Sequence, residues 1–161
     1  MEIAEFSKIS RAQFVKDLKE LCGLDEDCYE DIRIPQRATA ASAGYDFVSP
    51  IAAELAPGES IRIPTGIRCC MEKEYVLQLY PRSSLGFKYQ LGLLNTVGII
   101  DADYYFADNE GHIIVGIVNH GDKIIKIAKG DRFVQGVFCR YYLAGEEDNG
   151  RSRHGGFGST D

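Results

Sequence analysis

The sequence predicts an all-β protein, a β-sandwich or barrel with one short N-terminal helix and a flexible C-terminal arm. Beyond residue 30, short alternating or β-branched segments are separated by turn signals such as Pro57-Gly58 and Lys129-Gly130-Asp131. No helical pattern intervenes between these segments, and strands at this spacing without crossover helices are typical of sandwiches and barrels. We predict strands at 60–63, 75–80, 113–118, 124–127 and 133–138.

The N-terminal helix is predicted by a capping pattern followed by an apolar stripe. Ser10 and Gln13 form a capping box, and apolar residues then recur at helical spacing from Phe14 to Cys22, just before Gly23. We therefore divide the chain into an N-terminal helical extension at 1–30, a β core at 31–143 and a C-terminal arm at 144–161.

Length and composition indicate a single domain of 161 residues. The net charge of −6 opposes binding to nucleic acid, which depends on clustered Lys and Arg, and no apolar segment is long enough to span a bilayer. Five cysteines, an odd number without a Cys-x-x-Cys pair, indicate a reducing compartment. Because the three histidines are scattered, we expect no metal ligands from the protein itself. These features predict a cytoplasmic protein that binds neither nucleic acid nor membranes.

The arm contains groups that are suited to bind phosphate, but it has too few apolar residues to fold by itself. Arg153 offers a planar cationic fork, Ser159 and Thr160 offer hydroxyl groups, and the glycines between them expose backbone N–H groups. Phe157 is suited to stack on a flat ring. We expect this segment to become ordered on a ligand, and a plain disordered tail is the alternative.

A second block follows the strand predicted at 75–80. Its sequence, Pro81-Arg82-Ser83-Ser84-Leu85-Gly86, places a cation and two hydroxyl groups at the start of a helix. A helix that begins near Ser83 would direct N–H groups at an anion, with Arg82 beside it. Either the block binds phosphate, or one of the serines is an ordinary N-cap.

A third block is an apolar strand that delivers Asp101 and Asp103 to a turn. One carboxylate is suited to act as a general base toward water while the other stabilises the turn. Alternatively, both acids only form the turn.

Two more segments make a family resemblance specific. Residues 43–46 read Ala-Gly-Tyr-Asp, and residues 130–135 read Gly-Asp-Arg-Phe-Val-Gln. Together with 81–86, 95–104 and Gly-Gly-Phe-Gly-Ser-Thr at 155–160, they form five ordered blocks. These blocks resemble the five motifs of the trimeric dUTP pyrophosphatase (dUTPase) family over roughly residues 31 to 161.

The resemblance implies a jelly-roll fold, a homotrimer with shared active sites, and hydrolysis of dUTP to dUMP and pyrophosphate with Mg²⁺ on the triphosphate. Asp101 matches the general base, and Asp46 matches a supporting acid that holds Arg82 or a magnesium-bound water. The residues that match the family's contacts to uracil and deoxyribose are Asn95, Gly98, Ile100, Tyr104 and Phe157. Those that match its contacts to phosphate are Arg82, Ser83, Ser84, Gln135, Arg153, Ser159 and Thr160.

Three departures and two alternatives accompany this resemblance. Residues 105–111 are an insertion that implies a longer hairpin beside the site. Residues 1–30 precede the usual start of the family. Ser152 holds the usual position of the arm arginine, which leaves Arg153 or Arg151 to bind phosphate. One alternative is a dCTP deaminase of the same fold, although that family usually has Asp-Pro-Gly where this chain has Asp101-Ala102-Asp103. The other is a non-catalytic nucleotide-sensing or protein-interaction module.

Overall fold

The computed structural model describes residues 2–144. In chain order, its strands are β1 (Ala4–Lys8), β2 (Gln36–Arg37), β3 (Tyr45–Val48), β4 (Ala53–Leu55), β5 (Ser60–Pro64), β6 (Ile67–Met71), β7 (Tyr75–Pro81), β8 (Leu91–Leu93), β9 (Gly98–Ile100), β10 (Ile114–Asn119), β11 (Ile125–Ile127) and β12 (Arg132–Arg140). The helices are α1 (Arg11–Cys22), α2 (Ser83–Tyr89) and two 3-10 helices, Tyr29–Asp31 and Ala102–Phe106. Within residues 2–144, no helix has the length and apolar character needed to cross a bilayer.

The strands form antiparallel sheets around one hydrophobic core. The largest sheet has five strands in the order β2-β3-β12-β7-β9, and a second sheet has the order β5-β10-β8. Two-stranded pairs, β1-β6 and β4-β11, complete the set. Residues from all four sheets, among them Phe47, Ile63, Cys69 and Ile127, belong to the same buried cluster. The predicted all-β jelly-roll is confirmed, with its strand positions correct to within about two residues.

Alternation along β7 illustrates why these segments form strands. Leu77 and Leu79 are almost fully buried, and Gln78 between them is only partly buried. Successive side chains point to opposite faces of a strand, so the apolar set faces the core. The same alternation on β10 buries Val115 and Ile117.

The N-terminal segment is part of this core and begins with a strand that the sequence did not predict. β1 pairs with β6, from Ala4 opposite Met71 to Lys8 opposite Ile67. The predicted helix is confirmed as α1: the Ser10 hydroxyl accepts a hydrogen bond from the N–H of Gln13, and Gly23 ends the helix with a φ of 66°. β1 was missed because a single short strand is stabilised by its partner, which lies more than fifty residues away.

A buried polar pair fixes α1 to the β core. Oδ2 of Asp17 lies 2.5 Å from Nδ1 of His112, and both side chains are buried. Nε2 of His112 accepts a hydrogen bond from the N–H of Gly66 at 2.8 Å, so the ring hydrogen is on Nδ1 and is donated to Asp17. Burial raises the pKa of Asp17, but the hydrogen bonds from His112 and Gln13 outweigh it and hold that pKa below its usual value.

Candidate active site

The ends of three neighbouring strands bring together residues from three of the sequence blocks. In the ladder, Gln135 on β12 lies between Asp46 on β3 and Tyr80 on β7. Arg82 follows β7 directly, so it lies at the same end of the sheet. Antiparallel pairing thus assembles segments that are far apart in sequence.

Asp46 links two arginines at this end of the sheet. Its Oδ1 lies 3.1 Å from Nε of Arg82, and its Oδ2 lies 3.1 Å from Nη1 of Arg132. Asp46 is buried, whereas Arg132 is half exposed. The carboxylate therefore orients two guanidinium groups, which retain N–H donors for an anion. Sequence reasoning missed Arg132, although it lies within the block at 130–135.

The second block begins α2, as predicted, but neither serine caps the helix. Arg82 is the N-cap residue, with an extended backbone and no capping hydrogen bond from its side chain. Ser83 and Ser84 are exposed in the first turn, beside Arg82. Of the two interpretations left open by the sequence, the ordinary N-cap is excluded, since the serines are not at the N-cap position.

Gln135 contacts the strand end that precedes Arg82 and the residue two positions before Asp46. Its Nε2 donates to the carbonyl of Pro81 at 3.4 Å. Its Oε1 lies against the backbone of Gly44, where a Cβ would come within 2.5 Å of it. A side chain at position 44 would therefore displace the amide group of Gln135 from this position.

A cavity of about 410 Å³ lies along β9. Its volume suits a small organic ligand, and its lining is mostly apolar with polar groups at Asn95 and Arg62. Gly98, Ile100 and Tyr104, the other described candidates for the base and sugar, also line it. Arg62 was not predicted, because an isolated exposed cation on a strand carries no distinguishing pattern.

Close contact between β9 and β7 sets the shape of this cavity. A Cβ at Gly98 would lie 3.0 Å from the Cβ of Leu79, its partner in the ladder. A side chain at position 98 would require Leu79, which also lines the cavity, to shift by a few tenths of an ångström. The glycine therefore permits the close approach of the two strands beside the cavity.

After β9 the chain enters a 3-10 helix instead of the expected longer hairpin. Asp101 precedes this helix in an extended conformation, and its carbonyl accepts a hydrogen bond from the N–H of Tyr104 at 3.2 Å. β9 pairs with β7, whereas β10 pairs with β5 and β8. The hairpin expectation is therefore wrong here, because the two strands belong to different sheets and the residues between them form local helical bonds.

The register of β9 separates Asp101 from Arg82 within one chain. Ile100 lies opposite Leu77, so Asp101 continues beside Val76, while Arg82 lies just past the other end of β7. Six residues of extended chain between positions 76 and 82 span about 20 Å. That distance is too great for the two side chains of a single chain to contact one phosphate group.

The remaining predicted site residues, Phe157, Arg153, Ser159 and Thr160, and the alternative Arg151, lie outside the described residues.

The known proteins that this chain resembles in sequence and in structure are dUTPases. The sequence model of the dUTPase family matches residues 30–161. The deoxyuridine 5'-triphosphate nucleotidohydrolase of Lactococcus lactis subsp. lactis is 46% identical over 132 residues, which cover 80% of this chain and 88% of that protein. The protein of the same name from Desulfitobacterium hafniense is 38% identical over 136 residues, covering 80% and 87%. The crystal structure of the dUTPase from Streptococcus mutans matches with a TM-score of 0.68 at 34% identity, covering 88% of this chain and 98% of that one.

Proposed function

Since this chain belongs to the dUTPase family, we infer that it is a dUTP diphosphatase, which cleaves dUTP to dUMP and pyrophosphate. The observation that carries this inference is the cavity along β9, which has Asn95 in its lining and Asp101 directly after the strand. The names of the relatives, which are hydrolases of deoxyuridine triphosphate, favour this function over a dCTP deaminase or a non-catalytic module.

Asp101 is the general base in this proposal. It would orient a water molecule and take its proton as the water attacks the α-phosphorus in line with the leaving pyrophosphate. The support is its position, immediately after the strand that lines the cavity, together with its match to the family motif. Asp103 instead lies in the first turn of the 3-10 helix, where an acid favours the helix start.

The cavity along β9 would bind uracil and deoxyribose. The Asn95 side chain and the backbone from Gly98 to Ile100 offer the donors and acceptors that a pyrimidine edge requires. The Tyr104 ring would pack on the deoxyribose and leave no room for a 2′-hydroxyl, which excludes UTP. In the arm, Phe157 would stack over the uracil ring.

The phosphates would bind at the end of the sheet where Asp46 orients Arg82. Arg82 contributes the planar fork that suits phosphate oxygens, Ser83 and Ser84 contribute exposed hydroxyl groups, and Gln135 contributes its amide. Arg153, Ser159 and Thr160 of the arm would then close on the β- and γ-phosphates. Mg²⁺ would arrive on the triphosphate and neutralise its charge, which is the chief requirement of phosphoryl transfer.

We propose a homotrimer with shared sites, and the separation of Asp101 and Arg82 supports it. About 20 Å of strand lies between Asp101 and Arg82 of a single chain, which is too far for both side chains to contact the same phosphate group. A symmetric assembly in which Asp101 of one chain faces Arg82 of another would complete the site. We also propose a cytoplasmic location, which is supported by the five cysteines, all of them free.

The test of the function is pyrophosphate release from dUTP, compared with dTTP, dCTP and UTP, with and without Mg²⁺. We expect turnover of dUTP that depends on Mg²⁺ and far slower turnover of the other three. Ammonia release from dCTP would indicate the deaminase, and nucleotide binding without turnover would indicate the sensing module.

A further inference from the structure

The phenol hydroxyl of Tyr104 is held by Asn109 of the insertion and by the backbone of His112, the residue that follows the insertion. Its hydroxyl donates to the carbonyl of His112 at 2.7 Å and accepts from Nδ2 of Asn109 at 2.8 Å. Nδ2 of Asn109 also lies 3.4 Å from the same His112 carbonyl. Asn109 is therefore a side chain that holds the hydroxyl end of this ring, and Tyr104 also lines the cavity.

Asn109 itself is held by the backbone of the insertion. Its Oδ1 accepts from the N–H of Gly111 at 3.2 Å, and its carbonyl accepts from the N–H of His112 at 3.2 Å. Gly111 has a φ of 70°, and a Cβ there would lie 2.7 Å from the carbonyl oxygen of Tyr104. The insertion thus folds back tightly onto Tyr104 and presents Asn109 to its hydroxyl.

Three contacts fix the insertion and the residue that follows it, His112, to other parts of the molecule. Glu110 accepts hydrogen bonds from the N–H of Ser10 at 2.8 Å and from its hydroxyl at 2.6 Å. The Arg68 guanidinium stacks on the Tyr105 ring at 3.6 Å from its centroid. His112 is bonded to Asp17 of α1. The N-terminal extension and the insertion, two departures from the usual family pattern, therefore support each other.

We propose that Asn109 is a specificity-determining positioning residue, which acts through the Tyr104 hydroxyl to hold the aromatic ring against the sugar and so to reject a 2′-hydroxyl. The inference rests on the proposed function, because it concerns the discrimination of dUTP from UTP. A ring fixed at its outer end cannot withdraw to admit the extra oxygen. A ring held only by packing is free to withdraw and admit it. Because closely similar substrates are discriminated by small differences in fit, such a movement would lower the preference for dUTP over UTP.

The experiment measures kcat/KM for dUTP and for UTP in wild type, Asn109→Ala, Tyr104→Phe and the double variant, together with melting temperatures. Asp108→Ala is the matched control, because Asp108 is exposed in the same insertion. We expect Asn109→Ala to lower the dUTP-to-UTP preference about tenfold. Tyr104→Phe, which keeps the ring but removes the hydroxyl, should cause a similar loss, and the double variant should add less than about twofold to it. Asp108→Ala should keep the preference of the wild type.

Several results would overturn the inference. If Asn109→Ala lowers only the melting temperature and leaves the preference unchanged, Asn109 has a purely structural role. Should Asn109→Ala fail to fold, unchanged preference in Tyr104→Phe is decisive by itself, since the hydroxyl is the group through which Asn109 acts. A wild-type protein that does not release pyrophosphate from dUTP contradicts the proposed function, whereas normal discrimination in all variants contradicts only the role of Asn109.

Discussion

Oδ1 of Asp46 lies 3.1 Å from Nε of Arg82, and this contact joins two blocks that the sequence keeps far apart. The other carboxylate oxygen contacts Arg132 at the same distance. Because Asp46 is buried and accepts from both arginines, it fixes the direction of the two guanidinium groups. A rigidly held cation is what a phosphate site requires, since the donors then need no reorganisation during the reaction.

Asp46→Asn is expected to lower kcat/KM for dUTP about 10- to 100-fold. The amide has a single acceptor oxygen, so it can orient only one of the two arginines, and a misplaced arginine lowers the rate of the reaction. Steady-state kinetics of pyrophosphate release measures the loss. Asp25→Asn is the control, because Asp25 is exposed and forms an ion pair with the exposed Lys19. Wild-type kinetics in Asp46→Asn would show that the arginines do not need this carboxylate.

Asp101→Asn is expected to abolish turnover while nucleotide affinity stays within about tenfold, because the amide has the same shape but cannot accept the proton of the attacking water. Asp103→Asn should retain far more activity, since that residue lies at the start of the 3-10 helix. Titration of a non-hydrolysable dUTP analogue measures affinity alongside the kinetics. Equal losses in the two variants would argue against Asp101 as the base.

Mixing two inactive variants should restore activity if the sites are shared between chains. In random mixtures of Asp101→Asn and Arg82→Ala chains, roughly a quarter of the sites of a cyclic oligomer would combine an intact Asp101 with an intact Arg82. Mixtures of Asp101→Asn with Asp101→Ala should stay inactive. Light scattering should give about three times the chain mass of 17.9 kDa. A monomer that is active under assay conditions would contradict the shared site.

Deletion of residues 150–161 is expected to leave the fold and the trimer intact but to lower turnover at least about a hundredfold, as removal of phosphate donors typically does. Phe157→Ala should reproduce part of this loss through the missing stacking contact. Arg151 and Arg153 lie one position on either side of Ser152, which holds the usual position of the family arginine. Arg153→Ala is expected to be more damaging than Arg151→Ala, because Arg153 is the nearer of the two to the Gly-Gly-Phe-Gly segment. The reverse order would mean that Arg151 is the phosphate ligand.

Asp17→Asn is expected to lower the free energy of unfolding at pH 7 by about 1–3 kcal/mol, because the buried His112 ring loses a charged acceptor. The folded-state pKa of Asp17 lies below its usual value of 3.8, so its stabilisation is present above that pH and is lost as the pH falls through the folded pKa. Urea denaturation at pH 7, 5 and 3.5 should therefore show a difference that shrinks toward acid. A difference that does not change with pH would contradict a charged Asp17.

Local patterns were sufficient to predict much of the fold and the family. Alternation predicted β7 and β10, Ser10 and Gly23 marked the ends of α1, and the five blocks identified the dUTPase family. These features are readable in sequence because each depends on residues within a few positions of one another, through side-chain periodicity, capping or a continuous motif.

Tertiary structure alone decided how distant segments meet. The pairing of β1 with β6, the contact of Asp46 with Arg82 and Arg132, and the bond from Asn109 to Tyr104 each depend on strand register or on how the insertion folds back. The position of Asp101 relative to Arg82 follows from the register of β9 on β7. Register and loop packing are determined by the summed burial and hydrogen bonding of residues far apart along the chain, and no local pattern encodes that sum.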